Sequence, residues 1–85
     1  MYKIYLLPQA EKDLDALKGK LFQQIKNKIV NLSENPRPPG SIKLTAEEGY
    51  RLRSGNYRIV YRIEDKERIV YVYRIKHRKE AYRSL

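Results

Sequence analysis

Residues 50–61 read YRLRSGNYRIVY, and this stretch decides the fold. On both sides of its centre, apolar residues alternate with arginines, which is the period-2 pattern of a half-buried β-strand. The central Ser54-Gly55-Asn56 is typical of a hairpin turn. The stretch therefore predicts two antiparallel strands whose apolar side chains share one face and whose arginines share the other.

The period changes on the N-terminal side of this hairpin. Residues 1–7 alternate and are rich in tyrosine and isoleucine, which predicts a first strand. Pro8 suits the first turn of a helix, and over residues 9–18 apolar side chains recur at helical spacing. A second helix follows and should end by Asn35, because Pro36 disfavours a helical conformation in the residue before it. Its apolar face carries Leu21, Phe22, Ile25, Ile29 and Leu32.

The strand period continues after the hairpin. Residues 64–67 predict a charged turn, and residues 68–76 predict another strand. We expect loops at residues 37–41 and 45–49. The predicted order is β-α-α-β-β-β, an α+β fold in which a helical hairpin covers one face of a small antiparallel sheet. The whole chain, residues 1–85, should form one domain.

The chain is strongly basic. Lys and Arg number 19 against 10 Asp and Glu, which gives a net charge of +9, and most arginines and tyrosines lie from residue 50 onward. Such a charge attracts polyanions, arginine matches phosphate geometry, and tyrosine offers a ring on which a base can stack. Strand alternation should gather Arg51, Arg53, Arg58 and Arg74 on the sheet face away from the helices. Charge alone also fits a soluble domain with a basic surface.

Composition narrows the function classes further. The chain has no cysteine and one histidine, which excludes disulfides and argues against a zinc site. No apolar run approaches the ~20 residues of a membrane helix, and the first residues lack the pattern of a secretory signal. We therefore expect a cytoplasmic protein with no metal, no other cofactor and no membrane partner.

Residues 50–61, a following β-hairpin, and His77-Arg78-Lys79-Glu80-Ala81-Tyr82 together resemble the RelE toxins of the RelE/ParE superfamily. The resemblance covers nearly the whole chain, including the first strand and helix and the helix stop at Asn35-Pro36. It implies the toxin of a type II toxin–antitoxin system, a metal-independent endoribonuclease that cleaves mRNA in the ribosomal A site. In that reaction the ribose 2′-hydroxyl attacks the adjacent phosphate. The implied partners are the ribosome, mRNA and a cognate antitoxin protein, with no small-molecule cofactor.

The resemblance also implies roles for the hairpin arginines. Arg58 would stabilise the phosphate in the transition state. Arg51 and Arg53 stand where some relatives carry lysine, one of which has been assigned as the base. Arginine stays protonated, so we expect these two residues to clamp the RNA electrostatically and leave the base unassigned. A carboxylate of Glu47 or Glu48 would be able to serve, although a solvated turn is the favoured interpretation of this loop.

The C-terminal motif supplies the remaining catalytic candidates. Arg78 would lie near the leaving group, and Tyr82 would stack on or orient a base at the cut site. His77 is a candidate acid or base, because imidazole is the side-chain group whose ordinary pKa lies nearest to neutral pH. We expect further RNA contacts from five basic residues, namely Lys43, Arg74, Lys76, Lys79 and Arg83.

Two other functions fit the same sequence. A ParE-like toxin of the same fold would inhibit DNA gyrase and would need no RNA-cleaving residues. A non-catalytic module would use the arginine face to bind RNA or the ribosome without cleaving it. The terminal Arg78 and Tyr82 favour the nuclease over the gyrase inhibitor, whereas composition supports binding and catalysis equally.

Overall fold

The computed structural model describes residues 1–45 and 47–77 of the chain. The described residues form two helices and five strands: β1 (Lys3–Leu6), α1 (Pro8–Asp15), α2 (Gly19–Asn31), β2 (Ser41–Lys43), β3 (Tyr50–Ser54), β4 (Tyr57–Glu64) and β5 (Ile69–His77). The predicted α+β fold, with a helical hairpin packed on a small sheet, is confirmed. Within these residues, neither helix is both long and apolar enough to cross a membrane.

The sheet has the order β1-β5-β4-β3-β2, and it differs from the prediction in two ways. β2 is an additional edge strand of three residues, of which Ser41 was expected in a loop and the other two were assigned to no element. β1 pairs with β5 in parallel, so the sheet is mixed rather than purely antiparallel. The two differences are linked, because each successive helix or strand reverses the direction of the chain. The extra strand adds one reversal, so β5 runs in the same direction as β1 instead of the opposite one.

One face of the sheet packs against the helices. The core contains Ala10 and Leu14 of α1 and Ile25 and Ile29 of α2. These residues meet the inward-facing side chains of the strands, of which the most buried are Leu52, Ile59, Tyr61, Val70, Val72 and Ile75. The opposite face, called the open face below, is not covered by any helix or strand of the described chain. Because side chains alternate along a strand, the residues directly before and after a core residue of a regular strand point to the open face.

A cluster of polar contacts ties the loop after α2 to the β4–β5 turn. The guanidinium of Arg37 donates two hydrogen bonds to the carboxylate of Asp65, at 3.2 and 2.8 Å. The hydroxyl of Tyr2 donates to the same carboxylate at 2.7 Å. Below this cluster, the buried hydroxyl of Tyr61 donates to the Pro36 carbonyl at 2.8 Å. Hydrogen bonds from Arg37 and Tyr2 lower the pKa of Asp65 to about 2.

Asp65 should therefore make stability depend on pH in the acid range. Its pKa is lower in the folded state than the ordinary value of about 3.9, so its contribution is present above that value and is lost as pH falls towards about 2. Asp65→Asn should remove this part of the pH dependence of the urea midpoint, whereas Asp15→Asn, on the exposed end of α1, should retain it. Equal acid slopes in wild type and Asp65→Asn would contradict the assignment.

Gly49 lets the chain enter β3 beside β4. Its φ is +134°, and a Cβ atom there would stand 2.8 Å from the carbonyl oxygen of Tyr61. We expect Gly49→Ala to lower the free energy of unfolding by about 2–3 kcal/mol, because backbone strain adds to overpacking. Gly55→Ala is the control, since Gly55 has φ +60° but open space around it. It should cost only the left-handed penalty of about 1–2 kcal/mol. Equal losses in urea unfolding would show that the close approach is unimportant.

Candidate nucleic-acid interface

Three cations lie side by side across the open face. Arg53 of β3 is opposite Arg58 of β4, and Arg58 is opposite Lys76 of β5. Directly opposed residues have Cβ atoms about 4.5–5.5 Å apart, and like charges in such pairs destabilise a sheet. This cation row (Arg53, Arg58, Lys76) therefore breaks a local rule of sheet stability, which is typical of a functional surface. It is suited to bind an anion.

A second row runs beside the first. Ile42 of β2 is opposite Arg51, Arg51 is opposite Val60, and Val60 is opposite Arg74 of β5. The side chain of Ile42 is half exposed, so apolar surface alternates with charge along this row. A cleft between the two rows is lined by Gly40, Ile42, Arg51, Arg53 and Arg58. The structure thus places Arg51, Arg53 and Arg58 together, as the alternation predicted.

A β-bulge in β5 directs two of these cations to the open face. Val60 pairs with Arg74 but the next residue, Tyr61, pairs with Val72, so Tyr73 has no partner in the register. The extra residue shifts the alternation by one position. As a result Ile75 enters the core, while Arg74 and Lys76 pair with residues of the open face.

The loop before β3 adds a carboxylate to this surface. Glu47 lines a cleft on the open face together with Arg51, Arg58, Val60, Lys76 and Leu44. Glu48 lies in the adjoining cleft, which Glu47 also lines, beside Tyr73 and Arg74. The sequence analysis favoured a solvated turn here, because a loop has no periodicity that would place its side chains. In the structure both glutamates are exposed, as a solvated turn requires, and Glu47 also lines the cleft that contains Arg51 and Arg58.

Two predicted site residues lie on the other side of the sheet. His77 is opposite Tyr57, and the two rings meet edge to face with centroids 5.0 Å apart. It lines a cleft with Asp13, Ala16 and Leu17 of the α1 region, not with the arginines. Lys43 pairs with Tyr50, whose ring packs against the core, so Lys43 does not share the open face with Arg51. The structure therefore does not bring either residue to the cation row.

Residues 4–82 match the model of the ParE toxin family of type II toxin–antitoxin systems, parDE. The chain belongs to this family. The predicted membership of the RelE/ParE superfamily is thereby confirmed, and the toxin also resembles solved structures of RelE proteins. No curated protein sequence matches it significantly.

Three of these structures illustrate the likeness. A chain of the toxin–antitoxin complex RelBE2 from Mycobacterium tuberculosis has a TM-score of 0.79 and 28% identity, over 91% of the toxin and 98% of that chain. The intact Escherichia coli RelBE complex gives a TM-score of 0.77 and 30% identity, over 91% and 96%. The isolated Escherichia coli RelE toxin gives 0.78 over 100% of both chains, but at 24% identity this likeness concerns the fold alone.

Arg74 of the toxin is also held by a structural ion pair. Its Nε atom donates to Oδ2 of Asp13 on α1 at 2.8 Å, and the backbone N–H of Ile75 donates to the same oxygen at 2.9 Å. Burial opposes ionisation of Asp13, but hydrogen bonds from Arg74, Ile75 and Gln9 outweigh it and lower its pKa. Asp13 thus accepts a hydrogen bond from a backbone N–H of β5 that lies beyond the end of β1. Arg74 therefore has a structural role whether or not it contacts RNA.

Four predicted site residues of the toxin lie outside the described residues. They are the catalytic candidates Arg78 and Tyr82 and the RNA-binding candidates Lys79 and Arg83. Their roles remain predictions. The strand that precedes them, β5, ends at His77 beside the cation row residue Lys76.

Proposed function

We propose that the toxin is a ribosome-dependent endoribonuclease that cleaves mRNA in the ribosomal A site. The observation that carries this proposal is the cation row on the open face of the sheet. Arg58 is opposite Arg53 on one side and Lys76 on the other, and this concentration of positive charge across three strands suits a bound phosphate. The adjoining Glu47 gives this surface a group that can accept a proton.

The chemistry follows from these groups. The 2′-oxygen of the ribose attacks the adjacent phosphorus, the new O2′–P bond forms, and the P–O5′ bond breaks. The products are a 2′,3′-cyclic phosphate and a free 5′-hydroxyl. Glu47 takes the proton of the 2′-hydroxyl, and Arg58 with Arg51 and Arg53 neutralises the charge that develops on the phosphorane. Lys76, whose ammonium group carries protons that it can give up, supplies one to the leaving 5′-oxygen.

We also propose a protein antitoxin as the partner that blocks this surface. Support comes from solved relatives, which include the toxin–antitoxin complexes RelBE2 of Mycobacterium tuberculosis and RelBE of Escherichia coli. The place of action would be the cytoplasm, where ribosomes and mRNA are found.

Primer extension on an mRNA in a reconstituted translation system tests the proposal. Purified toxin is added with ribosomes present or omitted, and its folding is checked by circular dichroism. New breaks in the coding region that require ribosomes are the expected result. Breaks without ribosomes would indicate a free ribonuclease. Ribosome binding without any break would indicate the non-catalytic module, and either result would overturn the proposal.

Inhibition of DNA gyrase is the second candidate function, because the family that matches residues 4–82 is described by its ParE toxins. A gyrase supercoiling assay with the same preparation separates the two candidates. Loss of supercoiling activity with intact mRNA in the translation assay would favour this second function.

A further inference from the structure

The open face carries a third row that the proposed chemistry does not use. Tyr5 of β1 pairs with Tyr71 of β5, and Tyr71 pairs with Arg62 of β4. The two tyrosine rings have centroids 6.0 Å apart, and the guanidinium carbon of Arg62 stands 4.6 Å from the Tyr71 ring centroid. The neighbouring residues Ile4 and Leu6 pack against the core, so alternation places Tyr5 on the open face. We call Tyr5, Tyr71 and Arg62 the aromatic row.

Tyr5 is the exposed member of the aromatic row, whereas Tyr71 and Arg62 are partly buried. Tyr5 is 61% exposed, although a large aromatic side chain usually buries most of its surface. Arg62 forms an ion pair with Glu64 at 3.7 Å and is also attracted by Glu48, while its guanidinium keeps the contact with the Tyr71 ring. Two rings and a guanidinium plane on an uncovered sheet face are the groups on which single-stranded nucleic acids stack their bases.

The aromatic row continues the surface formed by the cation row and the second row beside it. Arg58 and Arg62 are four residues apart on β4, which corresponds to about 13 Å at about 3.3 Å per residue. A strand with bases stacked about 3.4 Å apart covers that distance with about four nucleotides. Tyr73, at the bulge, lies between the two groups of residues along β5 and lines a cleft with Glu48, Val60 and Arg74. One RNA strand can therefore contact the cation row and the aromatic row together.

We propose that the aromatic row is a stacking subsite for single-stranded RNA, which holds bases a few nucleotides from the scissile phosphate. The placement of that phosphate at the cation row rests on the proposed function. Because every base has a π-face, the subsite would add affinity without strong sequence preference. Positive charge on the rest of the open face favours a polyanionic occupant over a neutral or basic peptide. The tyrosine rings and the guanidinium plane favour a nucleic acid over an acidic peptide, because every base has a face that can stack on them.

A tryptophan reporter tests stacking directly, since the chain contains no tryptophan. Tyr5→Trp places a single fluorophore in the aromatic row at its most exposed position. The probe is a 2′-O-methyl oligoribonucleotide, which lacks the attacking hydroxyl and therefore reports binding without cleavage. We expect this oligonucleotide to quench the tryptophan fluorescence, and an abasic backbone of equal charge to leave it unchanged. Equal quenching by both, or quenching by neither, would overturn the subsite.

Alanine variants measure the contribution of each ring. Tyr5→Ala and Tyr71→Ala should each weaken binding of the same oligonucleotide on the order of 10-fold, and Tyr5→Phe and Tyr71→Phe should retain binding. Val30→Ala, at an exposed position on α2, is the surface control, and thermal unfolding shows which variants are folded. Wild-type affinity in folded alanine variants would overturn the proposal. A loss confined to antitoxin binding would overturn it too, and would assign the row to that protein.

The test distinguishes this proposal from the proposed nuclease. Arg58→Ala in the Tyr5→Trp background should lose cleavage but keep base-dependent quenching at saturating oligonucleotide. If the wild-type toxin cuts no mRNA although bases still quench the reporter, the nuclease proposal fails and the stacking subsite stands. If cleavage occurs and the reporter does not respond to bases, the stacking subsite fails alone.

Discussion

Arg58→Ala is expected to lower the rate of ribosome-dependent mRNA cleavage by about 10²–10³-fold, the usual effect of removing one preorganised contact to a transition state. Arg58 is the middle residue of the cation row, and it lines two clefts that adjoin that row. A phosphate bound there is within reach of cations from the two neighbouring strands. The planar guanidinium can also hold two non-bridging oxygens at once, which a single ammonium cannot do.

Two variants separate position from charge in this experiment. Arg58→Lys retains the charge but loses the forked geometry, so its rate should lie between those of wild type and Arg58→Ala. Arg68→Asn removes one positive charge from the β4–β5 turn, where φ is +57° and asparagine is tolerated. This control should cleave almost as fast as wild type. The rate is measured as the appearance of primer-extension stops over time, and near-wild-type cleavage by Arg58→Ala would remove Arg58 from the mechanism.

The hairpin at residues 50–61 explains why much of this surface is predictable from sequence. Strict alternation on β3 and β4 fixes which side chains share a face, whatever the rest of the fold does. Gly55, with φ +60°, makes the two-residue turn that sets the register of the two strands. The shared position of Arg51, Arg53 and Arg58 on one face of the sheet therefore follows from local patterning alone.

The bulge at Tyr73 shows where local patterning fails. Core residues of β5 are spaced by two from Val70 to Val72 and then by three to Ile75, and this break in the period is the signal of the inserted residue. Counting from Ile75 places His77 on the helix side, beside Tyr57. His77 was predicted as a catalytic candidate from the resemblance and from its titratable side chain, neither of which indicates this shift.

Features that depend on long-range pairing had no local signal. β2 has three residues at the sheet edge, too few for a recognisable alternation. The parallel pairing of β1 with β5 depends on the number of reversals between them, and so on the presence of β2. Glu47 lines a cleft with Arg51 and Arg58 because the loop from β2 to β3 lies at the open face. No spacing rule places a loop side chain, so the sequence could name Glu47 and Glu48 as candidate bases but could not place either one beside the arginines.

Glu47→Gln is expected to lower the rate of mRNA cleavage by about 10²–10⁴-fold, the usual contribution of a general base. Glutamine keeps the size of the side chain and its ability to hydrogen-bond, but it cannot take the proton of the 2′-hydroxyl. Since Arg51, Arg53 and Arg58 cannot readily act as bases, a carboxylate among them is the group suited to this step. Removing its negative charge should also tighten binding of a 2′-O-methyl oligonucleotide, because less acidic charge opposes the phosphates.

Glu48→Gln is the matched control for Glu47→Gln. The two residues are adjacent in the same loop, and both line the cleft beside Tyr73 and Arg74. Only Glu47 of the two also lines the cleft that contains Arg51 and Arg58. Both variants change the net charge equally, so a general electrostatic effect would move their rates together. Slow cleavage with tight binding in Glu47→Gln, and near-wild-type cleavage in Glu48→Gln, would identify Glu47 as the base. Equal rates in the two variants would exclude Glu47 as the base.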